Sequence, residues 1–278
     1  METAEPSLGI IAGRGVYPRV LAAAARQQGV QRIVAVAFKR ETDRVIERYA
    51  DAVRWVRLGQ LQALLDALQD LGVSRVVMAG QITPTHLFTV RVDKAMRDLL
   101  RALPQRNAHT IFGAIGDKLA VQGIVLTEAH LFMKSTMPEP GQLAGAPPDE
   151  QAQKDIALGL HVAKTTSSLE IGQTVVVKEG TILAVEAFEG TDETILRAGR
   201  LGGPGAVMVK VAKQGHDMRF DIPVIGERTI KKCKKAGIKA LALEAGRTIL
   251  LDREQVIAAA ERTNISLVSV TFERDISE

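Results

Sequence analysis

The chain holds a single cysteine, Cys233, among 278 residues. That excludes an intramolecular disulfide and any cysteine-cluster metal site, and it suits a reducing, cytoplasmic setting. Aromatic residues make up only 4% of the sequence, too few for the stacking platforms that bind single-stranded nucleic acid. Charge of one sign is not in excess either. The formal net charge is +4, with Lys and Arg interleaved with acids, which permits an anionic ligand without implying a nucleic-acid partner. No apolar run approaches the roughly 20 residues of a membrane span. The opening METAEPS has no basic-then-apolar signal pattern, so membrane contact is expected to be peripheral. The signatures G-x-x-x-x-G-K-[ST], G-x-S-x-G, H-E-x-x-H and H-x-E with C-x-x-C are all absent, which sets aside several hydrolase and deaminase chemistries.

What is present is a chain long enough for two domains, each with its own core. The first half alternates short apolar runs with helical patterns. Leu8–Ala12 reads as a buried strand, Gly13-Arg14-Gly15 as a turn, and Tyr17–Gln28 as an Ala- and Leu-rich helix stopped by Gly29. Arg32–Phe38, Ala52–Val56 and Val76–Ala79 follow as strands. Between them lie predicted helices over Glu41–Tyr49 and over Gln60–Leu71, the latter with Leu61, Leu64, Leu65, Leu68 and Leu71 on one face. A helical pattern resumes from about Arg91 to Leu103. This alternation predicts an α/β fold whose parallel sheet is covered on both faces.

In such sheets ligands collect beyond the C-terminal ends of the strands. Ala12 and Gly13, and Gly80 and Gln81, lie there and are placed at one crevice. The strand–glycine–helix unit also offers backbone N–H groups and a helix N-terminus to an anion. The dinucleotide fingerprint is incomplete, because Pro18 stands where a third glycine belongs. The turn is therefore either a phosphate or sugar site or simply a tight βα turn. Asp117, after two glycines, is a further candidate. His130 is another, though a packed role serves it equally well.

Residues 134–151 are rich in Pro and Gly without periodicity. We read 1–134 as the N-terminal domain, 135–150 as a linker and 151–278 as a second α/β domain that carries catalysis. A helix over Gln151–Lys164 is expected, then a loop in which Thr165 and Thr166 either hold phosphate or sugar or cap the helix. Gln173–Val177 and Thr181–Ala187 form a predicted hairpin. Lys231–Lys235 reads as the solvated face of a helix. Ile238–Ala242, Thr248–Leu251, Val256–Ala260 and Ile265–Val270 finish the fold as strand, strand, helix and strand.

The charged residues of Ala184–Arg228 stand out. Glu186, Glu189, Asp192 and Glu193 come in and after a β-like run; a turn follows at Leu201–Gly205; then Lys210, Lys213, His216, Asp217, Arg219 and Asp221 sit among apolar β formers. Cleaving a pyrophosphate with water calls for a cation held by one or two carboxylates alongside phosphate oxygens, and for lysines on the charged oxygens. In the alternating run RFDIPVI, Asp221 projects opposite to Phe220 and Ile222, and Pro223 marks a strand end. Asp221 is therefore placed as metal ligand or general base, with pairing to Arg219 or Lys210 as the alternative. Glu186 is a second candidate ligand. Lys210 and Lys213 are expected at the phosphates, and Glu189, Gly190 and Thr191 join the candidate substrate contacts.

Four stretches carry a family resemblance: GIIAGRGVYP near the start, VVMAGQI, VVVKEGTILAVEAFEGTDETILRAG and VKVAKQGHDMRFDIPVIG. From about Leu8 to Val270 the chain resembles the LpxI family, the UDP-2,3-diacylglucosamine pyrophosphatases of lipid A biosynthesis. The resemblance implies a Rossmann-like N-terminal domain, a C-terminal domain peculiar to the family, and a lipid-linked sugar phosphate lying between them. It also implies hydrolysis dependent on a divalent cation (Mg²⁺ or Mn²⁺), giving UMP and 2,3-diacylglucosamine 1-phosphate, with the essential aspartate at Asp221. Many relatives read Gly-Asp-Asp where this chain has Gly116-Asp117-Lys118, and a lysine there binds no metal. The expected partner is a lipid-linked UDP-sugar met at the inner membrane surface, with no nucleic acid; the chain could form a homodimer. Two other readings compete. A sugar-nucleotide sensor would bind without turnover. A nicotinamide oxidoreductase is disfavoured by Lys39 and Arg40 at the end of the second strand, where an acid would be needed.

Overall fold

A computed structural model describes residues 7–82, 90–213, 217–220 and 222–272. The chain forms two compact units, Met1–Met133 with Asp217–Asp221, and Lys134–His216 with Ile222–Glu278.

The first unit is built on a parallel sheet of β1 (Ser7–Ala12), β2 (Arg32–Phe38), β3 (Ala52–Val56), β4 (Arg75–Ala79) and β5 (Val125–Leu126), in the order β3-β2-β1-β4-β5. Helices α1 (Tyr17–Gln27), α2 (Leu61–Asp70), α3 (Lys94–Ala102) and α4 (Ala108–Val121) lie between the strands in sequence. Leu61, Leu64, Leu65, Leu68 and Leu71 of the predicted α2 face are all buried. The chain winds one way from β1 to β2 and the other way to β4, so the sheet's topological switch point lies between β1 and β4.

The predicted helix Glu41–Tyr49 is only a 3-10 turn, Arg44–Arg48. Residues 39–43 are held across the strand ends instead. The Thr42 hydroxyl donates to the Ala12 carbonyl and accepts from the Phe38 N–H at 2.9 Å, so no helix can start at Glu41. Helix α3 begins at Lys94 rather than Arg91, because the Asp93 carboxylate caps it by accepting from Met96 N–H at 2.8 Å.

The second unit carries a six-stranded mixed sheet of β6 (Gly141–Ala144), β7 (Thr174–Lys178), β8 (Thr181–Val185), β9 (Ala206–Lys210), β11 (Ile238–Glu244) and β13 (Ser266–Val270), in the order β6-β13-β11-β9-β7-β8. Strands β9, β11 and β13 are parallel; β6 is antiparallel to β13, and β7 to both its neighbours. Two short strands, β10 (Val224–Ile225) and β12 (Ile249–Leu250), pair separately. The sheet sorts its side chains with the period of two that strands impose. Val175, Val177, Val207 and Val209 join one apolar cluster with residues of α5 (Glu150–Ser168). Val176 and Met208 join another, with residues of α6 (Thr191–Gly202), α7 (Glu227–Ala236) and α8 (Arg253–Arg262). The single thiol, Cys233, sits in that second cluster, where burial pushes its pKa up to about 12.

Two segments away from the polar row of this unit differ from the sequence reading. Inside the stretch read as a linker, β6 pairs with β13; four residues are too few to show a period. Helix α6 is the second: the sequence reading assigns no helix to the acids that follow the β-run, yet Asp192 and Glu193 form its first turn. The β7–β8 hairpin turns at Glu179 and Gly180, both at positive φ, and the buried Asp155 carboxylate accepts both of their N–H groups at 2.9 and 2.8 Å. No helix among the described residues is long and apolar enough to cross a membrane.

Candidate functional site

At the switch point of the first unit the backbone itself forms the site floor. Gly13 N–H donates to Ala79 O at 2.7 Å, while Arg14 and Gln81 exchange bonds of 2.7 and 3.0 Å as a short antiparallel bridge. A Cβ on Gly13 would meet Gln81 O at 2.7 Å, and one on Gly80 would meet Arg14 O at 2.7 Å. Gly80 also sits at φ +96°, a region that side chains disfavour. The two glycines are thus spent on a close crossing of two loops, which brings Ala12, Gly13, Gly80 and Gln81 together. What faces outward is Gly15, at φ +95° with open space around it, and the first turn of α1, where Val16 supplies no side-chain cap. Tyr17 turns inward and donates to Ala129 O at 2.5 Å; burial pushes its phenol well above the ordinary range.

In the second unit the sheet places a row of polar side chains along one edge. Glu186 lies just past β8, Thr174 opens β7, Lys210 closes β9 and Glu244 closes β11; register pairs Thr174 with Lys210 and Lys210 with Leu243. The buried Lys210 ammonium donates to Thr174 Oγ1 at 3.2 Å and Thr191 Oγ1 at 2.8 Å, and stands 3.8 Å from Glu186 Oε2. Thr191 in turn donates to Glu186 Oε1 at 2.8 Å. Gly190, at φ +82°, is the N-cap of α6. Glu189 accepts from Arg197 at 2.6 Å. Burial works to raise the Glu189 carboxyl, but its own backbone N–H and Arg197 together hold it below the usual carboxylate range. Lys213 pairs with Glu170. Thr165 and Thr166 are not in a loop: α5 continues to Ser168, and their hydroxyls donate back to His161 O and Val162 O at 3.0 Å each.

The run RFDIPVI is not a continuous strand. Met218–Phe220 form a turn, and only Val224–Ile225 is a strand. Phe220 packs with the apolar residues of the first unit, 5.6 Å from the His109 ring and 5.8 Å from Phe112. Arg219 grips Asp217 through Nε at 2.9 Å and Nη2 at 2.6 Å, and this hydrogen bonding holds the Asp217 carboxyl below its ordinary range. Asp221 itself lies outside the described residues, as does His216. Asp117 and Lys118 are exposed on α4, and His130 stands 3.4 Å from Glu128.

Among the described residues no group of three or more His, Cys, Asp or Glu side chains converges as a metal cage. Glu186 offers a single ligand oxygen: its buried Oε2 accepts no hydrogen bond from a described residue. That suits the way Mg²⁺ is commonly held, by one or two carboxylates with substrate phosphates completing the shell. Thr174, Glu244, Lys164 and Glu170 were missed by the sequence reading. Glu244 had a signal, an acid ending the apolar strand IKALALE; the others look like ordinary surface residues.

Residues 7–136 match the LpxI N-terminal domain and residues 139–268 the LpxI C-terminal domain. A relative from Caulobacter vibrioides, named UDP-2,3-diacylglucosamine pyrophosphatase LpxI, is 32% identical over 279 residues, spanning 95% of this chain and 97% of its own. Among solved structures, an ADP complex of N5-carboxyaminoimidazole ribonucleotide synthetase covers 78% of this chain and 47% of that one, at 12% identity and a TM-score of 0.28. The synthetase from Staphylococcus aureus covers 65% and 41%, at 11% and 0.27. Likenesses that low carry no argument. Two domain matches in sequence order and a relative aligned along its whole length do: the chain belongs to the LpxI family.

Proposed function

We propose that the protein hydrolyses the pyrophosphate bond of UDP-2,3-diacylglucosamine, adding water across it to release UMP and 2,3-diacylglucosamine 1-phosphate. The observation that carries this reading is the whole-length relationship to the Caulobacter vibrioides enzyme of that name. Asp221 is the carboxylate assigned to the reaction, as general base or metal ligand. Mg²⁺ or Mn²⁺, held by Asp221 and Glu186, would supply charge neutralisation on the phosphate oxygens and help activate water. Lys213, whose pair with Glu170 is the more exposed one and can exchange for a phosphate oxygen, is the lysine assigned to the phosphates. Lys210 acts from behind, because its ammonium is already taken up by Thr174, Thr191 and Glu186; it orients the Glu186 carboxylate and the first turn of α6, where Glu189, Gly190 and Thr191 stand. Ala12, Gly13, Gly80 and Gln81 shape the floor of the crevice next to α1, a helix N-terminus suited to an anionic group. Thr165 and Thr166 are not carried into this reading, since their hydroxyls are spent within α5. Because the substrate is lipid-linked, we also propose peripheral contact with a membrane surface.

The test is UMP release from UDP-2,3-diacylglucosamine in the presence of Mg²⁺ or Mn²⁺, by wild type and by Asp221→Ala, each with a binding measurement. Turnover by wild type and binding without turnover by the variant are expected. Binding by wild type with no UMP released under any divalent cation would overturn the hydrolase reading and leave a sugar-nucleotide sensor.

A further inference from the structure

Two buried charges in the second unit have no part in the chemistry above. Lys164 lies in α5 and Glu244 ends β11; their side chains are 8% and 6% exposed, and Nζ stands 2.5 Å from Oε1. Removing two charges from water costs more than their mutual attraction commonly returns, so stability alone is a weak reason for such a pair. What the pair does is grip one residue, through the peptide groups on either side of it. Glu244 Oε2 accepts the N–H of Ala212 at 2.7 Å, and Lys164 Nζ donates to the carbonyl of Ala212 at 2.8 Å.

Ala212 is fully buried and lies two residues beyond the end of β9. There the sheet ladder no longer supplies partners, and both backbone polar groups of a buried residue must find them elsewhere. Val211, just before it, is tied by its N–H to Gln173 O at 3.0 Å. The chain thus leaves the sheet in one fixed direction. Lys210 stands two residues before the gripped residue, and Lys213 directly after it. Burial pulls the Lys164 ammonium below its ordinary range, and the bond to Glu244 offsets only part of that. Arg247 Nε approaches Glu244 Oε1 only to 3.9 Å, so Lys164 is the near partner.

We propose that Lys164 and Glu244 are positioning residues: a charged clamp on the Ala212 backbone that fixes where Lys210 and Lys213 stand at the sheet edge. The clamp is read from the geometry; its effect on turnover rests on the hydrolase reading above.

Three variants of the full chain separate position from stability: Lys164→Met, Glu244→Gln, and the two combined. Lys164→Met leaves Glu244 buried without its near partner and should lower the Tm. The double variant removes both charges and keeps an acceptor for the Ala212 N–H, so its Tm should return toward wild type. If the pair positions the lysines, kcat/KM for UDP-2,3-diacylglucosamine stays at least about tenfold down in the double variant despite the recovered Tm. Amide exchange in peptides spanning Val211–Lys213 should remain about tenfold or more faster than in wild type, because a neutral amide holds the Ala212 N–H less tightly than a carboxylate and Met holds its carbonyl not at all, with the rest of the sheet unchanged. Recovery of kcat/KM together with Tm would overturn the proposal, as would wild-type exchange at Val211–Lys213 in the double variant. Failure of both Glu244→Gln and the double variant to fold would also overturn it, in favour of a purely structural pair. If wild type itself releases no UMP, the hydrolase reading fails, and the exchange comparison alone decides whether the clamp exists.

Discussion

The ends of the two sheets are finished in opposite ways. In the first unit, the strand ends at the switch point are closed by bare backbone: Gly13 and Gly80 let two loops cross, with Arg14 and Gln81 bridging them. In the second, the strand ends are closed by charge: Lys210 with Glu186, and Lys164 with Glu244, all inside the protein. The census of buried charged side chains follows the same division. Among the described residues, Glu41 is the one in the first unit, against Asp155, Lys164, Lys210 and Glu244 in the second. A backbone floor tolerates no added atom. A charged floor tolerates added atoms better than the loss of one partner. The two should therefore fail under different substitutions.

The largest effect is expected where one charge of a pair is removed. Lys210→Met leaves the largely buried Glu186 carboxylate with the Thr191 hydroxyl as its neighbour and should cost about 3–5 kcal/mol, seen as a large drop in denaturation midpoint. Adding Glu186→Gln should return much of that loss. If Lys210→Met unfolds no more easily than wild type, the second sheet is not closed by charge, and the contrast between the units breaks.

Next comes the glycine crossing. Gly80→Ala forces a Cβ to within 2.7 Å of Arg14 O at φ +96°, and should cost about 1–3 kcal/mol in strain and displaced backbone. Gly15→Ala is the control. It has a similar φ of +95° but open space around it, so only the left-handed backbone cost remains, about 1 kcal/mol. Equal losses for the two would mean that φ alone matters, and that the close crossing does not.

This contrast also explains what could be read from the sequence. The parallel sheet was legible because buried parallel strands are nearly continuous apolar runs, as in RIVAVAF, and because the four leucines of α2 and Leu71 just after it keep helical spacing. Gly13 and Gly80 were legible as turn residues past strand ends. Their crossing was not, since nothing local says that two loops 67 residues apart share one spot. In the second unit, charge misled. Asp192 and Glu193 are first-turn acids of α6, with Arg200 in its last turn, as a helix dipole favours. Beside the β-formers of VVVKEGTILAV, however, they looked like part of a strand-borne site. Thr165 and Thr166 looked like a polar loop because hydroxyls are poor helix formers. Each instead bonds back to the carbonyl four residues earlier. Charge partners such as Lys164 and Glu244 are 80 residues apart, and only the fold brings them together.

A smaller effect is expected on the outside of the first unit, where its cations are found. Arg91, Lys94, Arg97 and Arg101 are exposed on and just before α3, with Asp98 among them. On α7 of the second unit, by contrast, Lys231 and Arg228 face acids, Glu227 at 3.0 Å and Asp192 at 2.5 Å. If the proposed membrane contact uses the α3 stripe, Arg97→Gln should weaken cosedimentation with vesicles containing anionic lipid by about fivefold, or about 1 kcal/mol per charge. Lys231→Gln should change it little. Equal losses would show a diffuse attraction by net charge and no preferred face.

The smallest effect concerns the segment Asp217–Phe220, where the first unit holds a charge pair of its own kind: local and partly exposed. Arg219 hydrogen-bonds to Asp217 and keeps its carboxyl below the ordinary range. A lowered folded pKa fixes the sign of the pH dependence. The pair's contribution is fully present above the unfolded value, about 3.9, and is lost as the pH falls through the lowered folded value. Because Arg219 is more than a third exposed, water and salt screen the attraction, and it is worth at most about 1 kcal/mol. Asp217→Asn keeps an oxygen that can accept from Arg219 and removes only the charge. The difference in stability between wild type and Asp217→Asn should be constant from about pH 7 to pH 5 and shrink toward zero below about pH 4, with added salt reducing it throughout. A difference that survives in strong acid would show that the carboxylate acts through shape rather than charge. Among the described residues the first unit would then keep pairs such as the exposed Arg26–Asp51 contact, away from its strand ends at the switch point, and the division between a backbone-built and a charge-built sheet end would be sharper than the structure alone makes it.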